Sequence, residues 1–273
     1  MGGGLAAAGL TYAAKIGAEA IQVFASSPRA WALSPGDPAV DETFATDCRA
    51  RQLPVFVHAP YLCNFASPSE ATREKTVASV RHSLRRGRRM GARGVVVHAG
   101  SAVDATARDV ALKVVREQLQ PILDDLTDDD PDVLIEPTAG GGRPIAARVD
   151  DLGPLFETLE RHPRLGVCID TCHAFAAGHD LAAPGGMRAT LNELNRVVGR
   201  GRLKLVHAND SKDPLGSGRD RHTNIGAGLI GAEPFAELFR HPMTRGVPVI
   251  VETPGDLAAH LRDLQVLRSL RDG

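Results

Sequence analysis

The sequence predicts a (β/α)8 TIM barrel, and two observations carry that prediction. Seven short apolar runs rich in Val and Ile alternate with longer amphipathic stretches. Their ends recur about every 34 to 45 residues, the length of one βα unit. The runs are also near-continuous rather than alternating, as expected of parallel strands covered on both faces.

In order, the runs are AIQVF (20–24), PVFVH (54–58), GVVVH (94–98), DVLIE (132–136), LGVCID (165–170), LKLVH (203–207) and VPVIVE (247–252). Between them lie helix-like stretches such as EATREKTVASVRHSLRRGRRMGA (70–92) and ATARDVALKVVREQLQPILDDL (105–126). LTDDDPD (126–132) and GGGRP (140–144) read as loops, so the chain is expected to be a single domain spanning 1–273. A doubly wound open sheet is the weaker reading, because no GxGxxG turn follows any run.

Composition narrows the class. The 273 residues are 43% hydrophobic and 24% charged, with a net charge of −1, so no global basic field points to a polyanion. Nucleic-acid binding would need a local patch or bound cations. The four cysteines, Cys48, Cys63, Cys168 and Cys172, have neither CxxC spacing nor scaffold density, and read as reduced thiols in a cytoplasmic protein. The opening MGGGLAAAGL lacks the features of a signal peptide, and no apolar run approaches a membrane span.

In a barrel the C-terminal strand ends converge on the face that carries active sites. Here those ends are His58, His98, Glu136, Asp170, His207 and Glu252, so six of the seven runs stop on an imidazole or a carboxylate. One such histidine is usually a satisfied structural residue. Six at equivalent places would be costly to gather without cations, and mixed nitrogen and oxygen ligands suit zinc, with manganese or iron as substitutes. His173 follows Asp170 by one turn, in the next loop. In Asp220-Arg221-His222 the outer two side chains can face one ion while Arg221 points elsewhere. Nine ligands fit three ions with shared carboxylates. Three divalent cations against Glu136, Asp170, Asp220 and Glu252 would leave the site at about +2, a sign that suits a phosphate.

These residues carry a family likeness. DTCHAFAAGHDL, HANDSKDPLGSGRDRHTNIGAGLIG and VETP, with the less specific HAPYLCN, VVHAGS and IEPTAG, closely resemble endonuclease IV, the trinuclear-zinc apurinic/apyrimidinic (AP) endonuclease family of base-excision repair. The likeness runs from about Gly3 to Pro254. It implies a zinc-dependent phosphodiesterase, a monomer acting on double-stranded DNA that contains abasic sites. Such an enzyme cuts on the 5′ side of the lesion and leaves a 3′-hydroxyl. By the same likeness, His58, His98 and a bridging Glu136 hold the first zinc. Glu136, Asp170, His207 and Glu252 hold the second, and His173, Asp220 and His222 the third. A hydroxide between the first two ions, oriented by Glu252, would attack phosphorus, and the third ion would stabilise the departing 3′-oxygen. Glu252 and Glu136 are thus the implied catalytic carboxylates. Arg29 stands where the family inserts an arginine at the lesion, and Tyr61 and Leu62 where it wedges the minor groove; Arg221 is also assigned to DNA. The bland alternative for Tyr61 and Leu62 is loop packing, and the basic stretch RHSLRRGRRM (81–90) reads as a solvated face.

Two departures stand out. Pro137 replaces the asparagine common in the family and removes a backbone donor beside Glu136. Family members also open with a strand ending GAHVS before a GGL helix start, whereas Met1-Gly2-Gly3-Gly4-Leu5 begins at the helix. The first barrel strand is therefore expected to be missing, leaving seven. The rival functions are a metal-dependent sugar isomerase or epimerase on the same barrel, and a non-catalytic lesion-binding homologue. The first leaves His173, Asp220 and His222 without a task; the second has no need of a full metal centre.

Overall fold

The computed structural model describes residues 8–102 and 107–273. The opening Met1–Ala7, on which the missing-strand expectation rests, lies outside the described residues, as does the expected helix start at 105–106. Seven strands form one sheet, β1 (Ile21–Phe24), β2 (Val55–His58), β3 (Ala92–His98), β4 (Asp132–Glu136), β5 (Leu165–Asp170), β6 (Leu203–His207) and β9 (Val249–Ile250), in that order. All seven expected runs are therefore strands. Two short strands, β7 (Asp210–Ser211) and β8 (His222–Thr223), pair antiparallel in a separate ribbon.

The described chain divides into two compact units. The first comprises the residues up to Ile135 together with Arg161–Gly166. In it β1, β2 and β3 pair in parallel, with Phe24 opposite His58 and His58 opposite Val96. His98 therefore stands two residues further along its strand than His58. Helix α1 (Leu10–Ile16) precedes β1, and α2 (Pro38–Ala50) and α3 (Glu70–Arg89) follow β1 and β2. Asp37 caps α2 by accepting from the Ala39 amide, with Pro38 already holding the helical φ at the first position. Ser69 caps α3, and α4 (Arg108–Asp124) follows β3. Every residue of β2 is buried, which explains its lack of polar alternation.

The second unit comprises Glu136–Glu160 and Val167–Gly273. Here β5, β6 and β9 pair in parallel, and Asp170, His207 and Ile250 lie in one register row. Helices α5 (Leu152–Thr158), α6 (Thr171–Ala176), α7 (Gly186–Val198), α8 (Pro234–Arg240) and α9 (Leu257–Asp272) complete it.

Three sequence expectations are corrected. The last run, 247–252, is a strand only at Val249–Ile250. Pro248 offers no amide to the ladder, and the Glu252 amide donates to the Asn209 side chain at 2.8 Å rather than to a strand carbonyl. Glu252 thus lies two residues beyond the strand. His173 is not in a loop: Asp170 caps α6 by accepting from the His173 amide at 3.0 Å, placing His173 in the first turn. The basic stretch 81–90 is only partly a solvated face. Arg81 and Arg88 pair at the surface with Asp125 and Asp129, but Arg86 is buried against Asp41.

Candidate metal centre

In the first unit, His58 and His98 end their strands with ring centroids 5.4 Å apart and ring planes at 88°. His58 is buried, and its Nδ1 lies 2.6 Å from the Ala59 carbonyl oxygen. A carbonyl can only accept, so Nδ1 carries the proton and Nε2 keeps its lone pair for another partner. Tyr61, 46% exposed, packs edge-on against Phe24 and His58 and stacks on His98 at 6.2 Å. Leu62 is 38% exposed and Arg29 is exposed too. The Tyr61 amide donates to the Pro28 carbonyl at 3.0 Å, so the loops bearing Arg29 and Tyr61 are fastened together. Asn64 ties this second loop to the segment after β3, exchanging two 2.9 Å hydrogen bonds with the Ser101 backbone. Gly100 has φ +96°, and a β-carbon there would overlap the Asn64 side chain, so only glycine admits this contact.

In the second unit, β4 delivers Glu136, β5 Asp170, β6 His207, and the segment after β9 Glu252. Glu136, Asp170 and His207 are fully buried, whereas the Glu252 side chain is 21% exposed. His207 Nδ1 lies 2.9 Å from Glu136 Oε1, 3.2 Å from Glu252 Oε2 and 4.0 Å from Asp170 Oδ2. The ligand atoms of these four residues all fall within 4.8 Å of one another.

The second cluster adjoins the first through Asp170. His173 Nε2 lies 3.2 Å from Asp220 Oδ2, and His222 Nε2 lies 2.9 Å from Asp220 Oδ1 and 3.5 Å from Asp170 Oδ2. The two rings are anchored by their other nitrogens, His173 Nδ1 on the Pro137 carbonyl at 3.1 Å and His222 Nδ1 on the Glu252 carbonyl at 3.3 Å. Pro137, expected to matter through its missing amide, supports the site through its carbonyl. The ribbon of β7 and β8 supports Asp220 and His222, with the Lys212 amide donating to the Arg221 carbonyl.

The electrostatics ask for cations. With each Nδ1 donating to a carbonyl, a neutral His173 or His222 presents a lone pair to carboxylate oxygens. Only a proton or a cation relieves that opposition. Burial by itself lowers the His173 pKa, yet Asp170 and Asp220 raise it to about 10. Burial likewise opposes protonation of His222, but Asp170 and Asp220 carry it to about 9. At His207, burial is overcome by Cys168, Glu252 and Glu136, and the pKa lies well above the usual value. His222 Nε2 is buried and makes no hydrogen bond despite its position beside Asp220. The donor set therefore fits divalent ions with nitrogen and oxygen ligands.

Several supporting residues escaped the sequence reading. Asn209 donates to Asp170 Oδ2 at 2.7 Å while accepting from the Glu252 amide. Asp210 accepts from five backbone amides, those of Ser211, Gly226, Gly228, Ile230 and Gly231, at 2.8 to 3.2 Å. Asp263 of α9 accepts from Asn224, Ile225 and Thr253, tying the segments next to His222 and Glu252 to one helix. The one available signal was position: Asn209 and Asp210 lie two and three residues after the strand ending at His207. Arg221 does point away from the ligands, but it is spoken for, forming a fork with Asp213 in which Nε lies 2.5 Å from Oδ2. The four cysteines are buried and form no disulfide in the structure.

A parallel α/β sheet with acids and imidazoles at its strand ends defines an α/β barrel with a candidate metal centre. Residues 10–270 match the family of xylose isomerase-like TIM barrels. Proteins named probable endonuclease 4 are 58% identical over 99% of this chain and 88% of theirs in Streptomyces avermitilis. In Chloroflexus aurantiacus the values are 38%, 94% and 91%. The crystal structure of endonuclease IV from Thermus thermophilus superposes with a TM-score of 0.84 at 35% identity, covering 97% of this chain and 93% of that one. The chain belongs to the endonuclease IV family of xylose isomerase-like TIM barrels. A D-tagatose 3-epimerase-like protein, at 19% identity and a TM-score of 0.72, shares the fold alone.

Proposed function

We propose that this protein is a zinc-dependent AP endonuclease that hydrolyses the phosphodiester 5′ to an abasic site in double-stranded DNA and leaves a 3′-hydroxyl. The observation that carries the reading is the pair of adjoining imidazole–carboxylate clusters sharing Asp170, in a chain whose relatives are named endonuclease 4. A sugar isomerase would leave His173, Asp220 and His222 unexplained.

We assign Glu136, Asp170, His207 and Glu252 to one zinc, His173, Asp220 and His222 to another, and His58, His98 and Glu136 to the third, with manganese or iron as substitutes. Bound zinc would supply positive charge against the phosphate and acidify a water molecule. Glu252, the least buried of the three carboxylates around His207, would orient an attacking water and take its proton. The water oxygen would bond to phosphorus as the bond from phosphorus to the 3′-oxygen breaks, and the proton taken by Glu252 would pass, through solvent, to the departing oxygen. Glu136 supplies negative charge beside His207. Arg29, Tyr61 and Leu62 present an exposed cation and two exposed apolar groups to the lesion. Extruding an abasic nucleotide is cheap because no base has to be unstacked. Arg221 adds charge at the rim beside Arg219, tempered by Asp213. Among the described residues no helix is long and apolar enough to cross a membrane. A cytoplasmic monomer completes the proposal.

The test is a nicking assay on an abasic duplex with elemental analysis of the same preparation. A 3′-hydroxyl product from protein holding about three divalent ions is expected. Protein that holds metal and leaves the abasic duplex intact would refute the reading.

A further inference from the structure

The basic stretch of α3 contains a buried arginine that the metal centre does not use. Arg86 forms a two-point fork with Asp41 of α2, Nε to Oδ2 at 2.6 Å and Nη2 to Oδ1 at 2.7 Å, with side chains 5% and 1% exposed. Its remaining nitrogen, Nη1, donates to the Ala25 carbonyl at 3.1 Å and the Ser34 carbonyl at 3.2 Å. These carbonyls flank the exposed loop that follows β1 and carries Arg29. The same neck is closed by the Ser34 amide donating to Ser26 Oγ at 2.9 Å. Gly36, at φ +65°, lies against the guanidinium, where a β-carbon would overlap it. A helix surface that reads as solvent-facing thus sends one cation inward to grip both ends of a single loop.

A buried ion pair is weak evidence for stability in itself, because desolvation offsets the attraction. What a planar guanidinium with every nitrogen hydrogen-bonded does supply is geometry, since its fork holds four acceptors around one plane. We propose that Arg86, locked by Asp41, is a positioning residue that holds the Ala25–Gly36 loop so that Arg29 meets the lesion already ordered. The inference rests on the AP-endonuclease reading for the role of Arg29. The loop carries none of the nine assigned metal ligands. Loosening it therefore costs substrate binding, and the chemical step is spared.

The experiment is a double-mutant cycle on the zinc-loaded full chain with an abasic duplex, combining Arg86→Lys with Arg29→Ala. Lysine keeps the charge but cannot form the fork. Arg86→Lys alone is expected to raise KM by about tenfold with kcat within about threefold and zinc content unchanged. In the Arg29→Ala background it should change KM by less than about twofold, because the group being positioned is gone. An equal rise in both backgrounds, or no rise, overturns the proposal. Should Arg86→Lys fail to fold, Ser26→Ala opens the neck without touching the ion pair. It is read by the same rule, with about threefold coupling as the threshold. Hydrogen exchange over residues 26–34 separates the two readings. If the wild-type chain does not nick the abasic duplex, the function is wrong, while faster exchange in Arg86→Lys still supports the clamp. Unchanged exchange overturns the clamp whatever the activity.

Discussion

Asn209 fixes the distance between Asp170 and Glu252: its amide nitrogen donates 2.7 Å to the Asp170 carboxylate, and its amide oxygen accepts the Glu252 backbone N–H at 2.8 Å. One buried side chain thereby orients a carboxylate shared by two clusters and ends the strand pairing that would otherwise run on through Glu252. Replacing it with aspartate keeps the acceptor but exchanges the donor for a second negative charge beside Asp170. Asn209→Asp is expected to weaken metal binding or activity by about 10- to 100-fold while the protein still folds. Zinc titration against a competing chelator checks this; affinity equal to wild type would remove Asn209 from the support of the site.

Glu252→Gln preserves shape and removes charge. Cleavage of an abasic duplex should fall by about two orders of magnitude or more, while binding of the same duplex survives. Single-turnover kinetics and gel-shift titration on one preparation separate the two. Cleavage near the wild-type rate would take the catalytic role away from Glu252.

His222→Ala withdraws a ligand from the cluster of His173 and Asp220 and leaves the buried Glu136–Asp170–His207 group intact. Elemental analysis should show the loss of about one ion per chain with far-ultraviolet circular dichroism unchanged. Loss of all metal would mean that the clusters do not load independently.

Protons and metal compete for the same nitrogens, and the sign follows from the raised pKa values. In metal-free protein, His173 near 10 and His222 near 9 are protonated at neutral pH. Because these folded-state values exceed the unfolded one of about 6.5, their stabilisation is complete below that value and is lost as pH rises through 9 to 10. Metal-free protein should therefore show a falling Tm between pH 7 and pH 10, a fall that zinc-loaded protein lacks. Zinc binding at pH 7.5 should release about two protons from this pair, measured by calorimetry in buffers of different ionisation enthalpy. Proton uptake on binding would contradict the assignment.

The strands and their terminal side chains were legible because strand burial and active-site placement both leave marks at fixed positions. A buried strand must be apolar until it reaches the face where function sits, so Val57 to His58 and Val206 to His207 announce themselves. Support residues leave no such mark. Asn209, Asp210 and Asp263 act through backbone amides far along the chain, and Arg86 sits among arginines that differ from it only in where helix rotation points them. The early end of β9 was equally hidden, since it depends on which acceptor the Glu252 amide finds.

The five amides that converge on Asp210 have a bearing on how this scaffold could be altered. A loop whose path is set by backbone groups gathered around one buried anion does not rely on the identity of its outward side chains. Leu229, 53% exposed at the edge of that loop, is free to be exchanged while the chain retraces the same path. The stretch from Gly226 to Gly231 thus keeps its course when Leu229 is changed, provided that Asp210 and the glycines packed against it are left alone.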